Sequence, residues 1–404
     1  MDKRAIAHMD LDTFFVSCER LLDSRLNGLP ILIGGTSDRG VVASCSYEAR
    51  QFGIHSAMPM KLAKQLCPEA IIIKGNSGIY TKYSRLVTEV IQEYAPLYEK
   101  TSIDEFYLDF TGMDRFFGTL KYARELRERI MRETGLPISF GLSENKTVSK
   151  VATGEAKPNN QLHIDYGTEK MFLAPLPVKK IPMVGEKTQQ TLYGLGIRKI
   201  HTLQEMPVEM METIMGKNGV AIWKKANGID QSPVVQYNER KSISTERTFD
   251  RDTIDVKKLR SILIAMTENL AFQLRRGQKM TGCVTLKLRY SDFQTQTLQK
   301  KISYTSADHE LLPIALELFD KLYTRRVLIR LIGIRFSDLV NGSYQISLFD
   351  DSEKMVDLYN AMDKIRQRFG DRAVLRAAGM DAKTIGRFNP FSGEPPPLLA
   401  NRRV

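Results

Sequence analysis

Apolar and polar positions along the chain follow two periods, near two residues in some stretches and near 3.6 in others. The opening AIAHMDLD is a short apolar segment that runs into acid, and it reads as a buried strand. Helical spacing follows at once over 13–22, with Phe14, Phe15, Cys18, Leu21 and Leu22 apolar and Asp12 placed to cap. A strand at 30–34, a Gly/Ser/Asp turn, a strand at 40–44 and a polar-faced helix from Tyr47 come next. Helical periods cover 58–68 and 76–94, and Pro96 breaks the second. Residues 97–110 split into two β-like halves around 101–105. A helix at 115–133, a strand at 138–142 and a helix from Lys146 complete an α/β unit of about 165 residues.

Two prolines in LAPLPVKK open a helical region that runs to Gly228, and a polar break at 231–240 contains Pro233. Strands at 283–290 and 330–336 then alternate with helices at 256–276 and 309–324, the pattern of a small α+β domain. The final 60 or so residues hold an isolated QISLF, a charged helix at 352–369 and the Pro- and Gly-rich FNPFSGEPPPLL, expected to be disordered. The predicted class is a multidomain α/β and α+β protein.

Composition narrows this picture. At 404 residues the chain exceeds the ~250–300 that one core supports. With 42% hydrophobic and 26% charged residues it has enough apolar content to fold. No apolar run reaches the ~18–20 residues that span a bilayer, and MDKRAIAHMDLD turns acidic too early for a signal peptide. A cytoplasmic protein with no membrane partner is expected. Cys18, Cys45, Cys67 and Cys283 are far apart, so neither zinc nor a disulfide framework is indicated. The net charge is +12, and 19 Lys/Arg against 11 Asp/Glu put +8 of it within 240–340. A local excess of that size favours a polyanionic partner.

The acids carry the candidate chemistry. Asp10 ends the first strand, and Asp104 with Glu105 sits inside an apolar hairpin pattern, where adjacent carboxylates repel and unpaired charge is costly. Neighbouring strand residues face opposite sides, so both can serve one site only at a bend. Three carboxylates make a hard-oxygen site that suits Mg²⁺. Nearby, the helix start at Thr13 offers backbone N–H groups for phosphate. Ser44, Tyr47 and Arg50 fall in SCSYEAR, with Tyr47 and Arg50 three apart on one helical face, and Lys157 in AKPNN adds a point charge.

At these residues the sequence resembles a Y-family translesion DNA polymerase of the bacterial polymerase IV (kappa-like) type. HMDLDTFFVSCE, ASCSYEARQFGIHSAMP, SIDEFYLDFT, GLSENKTVSKVA, EAKPN, RKSISTERTF and RLIGIRFSDL carry the likeness, which runs from residue 1 to about 340. The resemblance implies a right-hand polymerase fold with palm, fingers, helical thumb and an additional α+β little finger. The palm would take 1–12 and 75–165, the fingers 13–74 and the thumb 166–232. A linker at 233–240, the little finger at 241–341 and a tail at 342–404 follow. Asp10, Asp104 and Glu105 would bind two Mg²⁺ per site with the Leu11 carbonyl. Phe14, Phe15, Ser44, Tyr47, Arg50 and Lys157 would contact the dNTP, with Phe15 as the steric gate against a 2′-hydroxyl. Low-fidelity synthesis on primer–template DNA without proofreading is the implied activity.

The grip on DNA has three candidate parts. Residues 179–197 resemble a helix-hairpin-helix, with Gly185 at the tight turn and Lys187 in the following helix; MGKNGVAIWKK is a looser second copy. In the basic domain Arg240, Lys241, Arg247, Arg289, Arg330 and Arg335 are candidate phosphate contacts. Gln345, Leu348 and Phe349 in QISLF resemble a peptide that binds the sliding clamp (the beta clamp). A monomer is expected. Two other readings stay open: a DNA-binding scaffold with a decayed palm, against which the intact carboxylates speak, and a nucleotide cyclase, which needs neither hairpins nor a basic fourth domain.

Overall fold

The computed structural model describes residues 3–37, 39–113, 118–236, 239–342, 352–370, 373–380 and 382. They form two compact units divided between residues 238 and 239. No described helix is long and apolar enough to cross a membrane, and all four cysteines are buried and unpaired.

The first unit is built on a five-stranded sheet in the order β5-β6-β1-β7-β8. Its central strand is β1 (Ile6–Leu11), antiparallel to both β6 (Glu105–Asp109) and β7 (Ile138–Ser143). β5 (Leu97–Lys100) and β8 (Gln161–His163) close the edges. Ile6, Ala7, Met9 and Leu11 of β1 are all buried, so this strand reads as a nearly continuous apolar run. The core takes in α1 (Phe14–Leu22), α4 (Ser77–Tyr94) and α5 (Thr119–Thr134). It also takes in Ile31 and Ile33 of β2 (Ile31–Gly34), which leads a small sheet ordered β3-β2-β4. β3 (Val42–Cys45) and β4 (Ile71–Ile73) flank it, with α2 (Tyr47–Arg50) and α3 (Met60–Leu66) alongside. The strand at 71–73 has no counterpart among the sequence expectations, because three residues give no readable period.

α6 (Lys146–Ala156) lies close on β7. A Cβ at Gly141 would sit 2.3 Å from the Ser149 carbonyl oxygen and 2.5 Å from the Thr153 nitrogen, so glycine is what admits the helix. Asn145 caps α6 by accepting the Val148 N–H at 2.9 Å. Val148, Val151 and Ala152 of α6 also join a separate helical core with α7 (Glu169–Leu173), α8 (Glu186–Gly194), α9 (Ile200–Glu205) and α10 (Val208–Ala226).

The second unit is a four-stranded antiparallel sheet, β11-β10-β12-β9. Its strands are β9 (Ser242–Thr253), β10 (Lys279–Tyr290), β11 (Thr295–Thr305) and β12 (Ile329–Asn341). Val284, Leu286, Leu288, Ile332, Ile334 and Phe336 pack against α11 (Val256–Arg276) and α12 (Asp308–Leu322). The helix at 352–369, assigned to a separate tail on sequence grounds, is α13 (Ser352–Phe369) and packs on these helices. Asp363 binds Arg275 at 2.6 Å, and the Tyr359 hydroxyl meets His309 Nδ1 at 2.8 Å. QISLF, with Gln345, Leu348 and Phe349, and the stretch FNPFSGEPPPLL lie outside the described residues.

Candidate active site

The antiparallel register places Asp10 directly opposite Glu105, and the Leu11 N–H bonds the Asp104 carbonyl at 3.1 Å. The three acids therefore meet at one end of the β1/β6 pair. Asp104 and Glu105 escape strand alternation through a turn built by Ser102. Its Oγ accepts the Glu105 N–H at 3.0 Å and donates to Asp104 Oδ1 at 2.6 Å. Glu105 is only the first residue of β6, so Asp104 stays in the bend.

Burial pushes the Asp10 carboxyl up to about 7, opposed by Lys157 and reinforced by Asp104 and Glu105. Asp104 is likewise raised, chiefly by burial. Two lysines answer this charge. Lys157 Nζ sits 2.6 Å from Asp10 Oδ1, and Lys150 Nζ lies 2.7 Å from both Glu105 oxygens. Among the described residues no three His, Cys, Asp or Glu side chains form a ready metal cage. The donors nonetheless fit a hard divalent cation: three clustered carboxylates, one of them with strongly raised proton affinity.

Around the acids the other predicted residues are unequally placed. Phe14 is 2% exposed and its ring belongs to the sheet core, so only its backbone faces the helix start. Phe15 is half-buried and stacks on Tyr80, ring centroids 4.3 Å apart and planes 17° apart. The Tyr80 hydroxyl donates to Glu19 Oε1 at 2.6 Å, one helical turn beyond Phe15. Ser44 sits on β3 opposite Ile33. Ser46 caps α2 by accepting the Ala49 N–H at 3.2 Å, and on that helix the Arg50 guanidinium lies 4.8 Å from the centre of the Tyr47 ring.

Asp12 does not cap α1. The cap residue is Thr13, in the left-handed region at φ 42°. The Asp12 carboxylate instead accepts from Tyr47, Ser139 and the Asn159 backbone. Asp12, Ser102 and Lys150 are the site residues that sequence reasoning missed. For Lys150 the local signal was only its place one turn after Lys146, because its partner Glu105 lies 45 residues away.

In the helical part, Gly185 lies at the turn before α8 as its N-cap, with an ordinary φ of −84°, and the left-handed residue of that turn is Met183, at φ 84°. Lys187 is exposed in the first turn of α8. α10 is broken at Gly216 (φ 60°, ψ −149°), a backbone open essentially to glycine, which gives the second hairpin a sharp turn.

In the second unit Ser242, Ser244, Glu246 and Thr248 of β9 point away from the helices, while Ile243, Thr245, Arg247 and Phe249 turn toward them. Arg335 pairs across from Ser244 and Thr285, and Arg289 from Thr295, on the side away from the helices. Arg247 therefore lies on the opposite face from both. Arg330 sits at the register shift of β12, its guanidinium 4.4 Å from the centre of the Phe293 ring. Arg240 and Lys241 precede β9.

The impB/mucB/samB family model matches residues 9–154, and the model of that family's C-terminal domain matches 240–348. A DNA polymerase IV of Dehalococcoides mccartyi (strain BAV1) is 37% identical over 378 residues, which cover 93% of this chain and 97% of that protein. The DNA polymerase IV 2 of Methanosarcina mazei is 34% identical over 356 residues, 87% of this chain and 96% of its own. Among solved structures, a Y-family polymerase chimera of Dbh and Dpo4 aligns with TM-score 0.75 at 25% identity, covering 84% of this chain and 100% of the chimera. The insertion ternary complex of Dbh DNA polymerase aligns with TM-score 0.62 at the same identity and coverage.

Proposed function

The chain belongs to the impB/mucB/samB family of Y-family translesion DNA polymerases, of the polymerase IV kind, and we propose how its residues divide that work. It is a DNA-directed DNA polymerase acting on primer–template DNA and dNTPs, in a family that uses divalent metal ions. In our reading the five-stranded sheet is the palm, the β3-β2-β4 sheet with α2 and α3 the fingers, α7–α10 the thumb, and the second unit the little finger. The observation that carries this is the register of Asp10 on Glu105, with Asp104 hydrogen-bonded alongside.

Asp10, Asp104, Glu105 and the Leu11 carbonyl would hold two Mg²⁺. When bound, the ions supply the positive charge that makes the primer 3′-hydroxyl easier to deprotonate and the pyrophosphate easier to release. Lys157 and Lys150 hold Asp10 and Glu105 in place in the ion-free protein. Tyr47, Arg50, Ser44 and Lys157 orient the triphosphate, and backbone N–H groups at Thr13–Phe15 contribute the helix start. Phe15 bars a 2′-hydroxyl. On this reading synthesis runs without proofreading, as is general for the family.

The helix starts after Met183 and Gly216 would take duplex phosphates through backbone N–H groups, with Lys187 beside the first. Arg289 and Arg335 would do so on the open face of the little finger, with Arg240, Lys241 and Arg330 near its edges. The protein would act as a monomer and reach the clamp through Gln345, Leu348 and Phe349. Single-dNTP primer extension tests the reading. Incorporation should follow the templating base; untemplated addition, or none, would refute it.

A further inference from the structure

We infer that Asp12 is a positioning residue that sets the dNTP triphosphate contacts, Tyr47 and Lys157, from beneath. The inference rests on the reading of those two residues as triphosphate contacts. Asp12 is only 1% exposed, so its carboxylate needs partners, and the structure supplies them in two groups. Oδ2 is fixed from the sheet side, accepting from Ser139 Oγ on β7 at 2.8 Å and from the Asn159 N–H at 2.7 Å. Oδ1 faces the other way. It accepts from the Tyr47 hydroxyl at 3.3 Å and lies 3.7 Å from Lys157 Nζ.

The backbone of Asp12 is held as firmly. Its N–H donates to the Pro137 carbonyl at 2.9 Å, and its own carbonyl accepts from Ser17 Oγ at 2.7 Å. One rigid carboxylate thus reaches three separate pieces of chain: the short helix that carries Tyr47 and Arg50, the loop 157–159, and the central sheet. Asp10 stands two residues earlier, on β1, and takes Lys157 directly at 2.6 Å. The Lys157 ammonium therefore lies between two carboxylates with different tasks, one beside the metal-binding acids and one behind the triphosphate contacts.

The geometry also orders the Tyr47 hydroxyl. With Asp12 as acceptor, its proton points to Oδ1, and its lone pairs remain directed away from that carboxylate. Burial and the neighbouring carboxylates raise the phenol's proton affinity, so it stays a donor. Arg50, stacked on the Tyr47 ring, moves with it. Removing the Asp12 charge would release the ring, the guanidinium and the loop together while leaving Asp104 and Glu105 untouched.

Asp12→Asn keeps the shape and removes the charge. Measured on a primer–template, it should raise KM for the correct dNTP about tenfold and change kcat less than about threefold, with unchanged affinity for DNA. Tyr47→Phe should raise KM similarly, and the double variant should raise it by clearly less than the product of the two single effects, because both lose the same Asp12–Tyr47 contact. Ser139→Ala loosens the same carboxylate without touching nucleotide, and a smaller KM rise is expected; it decides the matter should Asp12→Asn fail to fold. Unchanged KM in Asp12→Asn and Ser139→Ala, or additive KM effects in the double variant, would overturn the inference. Unchanged KM in Tyr47→Phe and Lys157→Ala would instead overturn the triphosphate reading beneath it.

Discussion

Phe15 rests face to face on Tyr80, and Tyr80 is tied to Glu19 on the helix that carries Phe15, so the ring has a fixed plane. Phe15→Ala should therefore admit ribonucleotides, raising their incorporation relative to dNTPs by two orders of magnitude or about that. Unchanged sugar discrimination would remove the gate. Asp10 allows a second prediction. Its carboxyl is raised from 3.8 to about 7, so the folded ion-free protein holds this proton more tightly than the unfolded chain. Its contribution to stability is full below the ordinary carboxylate range and falls as pH rises toward 7. Thermal unfolding in chelator should occur at lower temperature at pH 7 than at pH 5, and Asp10→Asn should flatten that dependence. Equal slopes in the two proteins would contradict it. Residue types revealed the acids and Tyr47, but not Asp12. A carboxylate after a strand reads locally as a helix cap, and only partners 127 and 147 residues away give it another task.

Helical and strand periods located most elements, because each buries one face on a core. The helix expected at 256–276 is α11 with those same ends. β9 and β11 were harder to see, since both carry long polar runs on their outward positions. The same alternation corrects a candidate contact. Arg247 looked equivalent to Arg289 in composition, but its strand position turns it to the helix side. At Gly141 the sheet meets α6 with no room for a methyl group. Gly141→Ala should push α6 off β7, destabilise the protein by about 1–3 kcal/mol and lower activity by displacing Lys150 and Lys157. Calorimetry and extension rates on the same sample check both; a neutral outcome would mean the helix adapts freely.

Across the whole molecule, charge and chemistry are separated along the chain. The +8 excess within 240–340 belongs to the second unit, whereas the buried acids belong to the first. Replacing Arg289 and Arg335 by Ala should reduce the slope of log binding constant against log salt by about 2, whereas Arg247→Ala should leave it nearly unchanged. Net charge announced a polyanion, but could not show which face of a sheet would meet it. The spacing between motifs likewise left ninety residues between Asp10 and Asp104; strand pairing brings them together. The most direct test of that pairing is single-turnover incorporation of one correct dNTP by wild type and by Asp104→Asn, with DNA affinity measured in parallel. The rate should fall by at least about a thousandfold while DNA binding persists. A variant that incorporates nucleotide at nearly the wild-type rate would contradict the account.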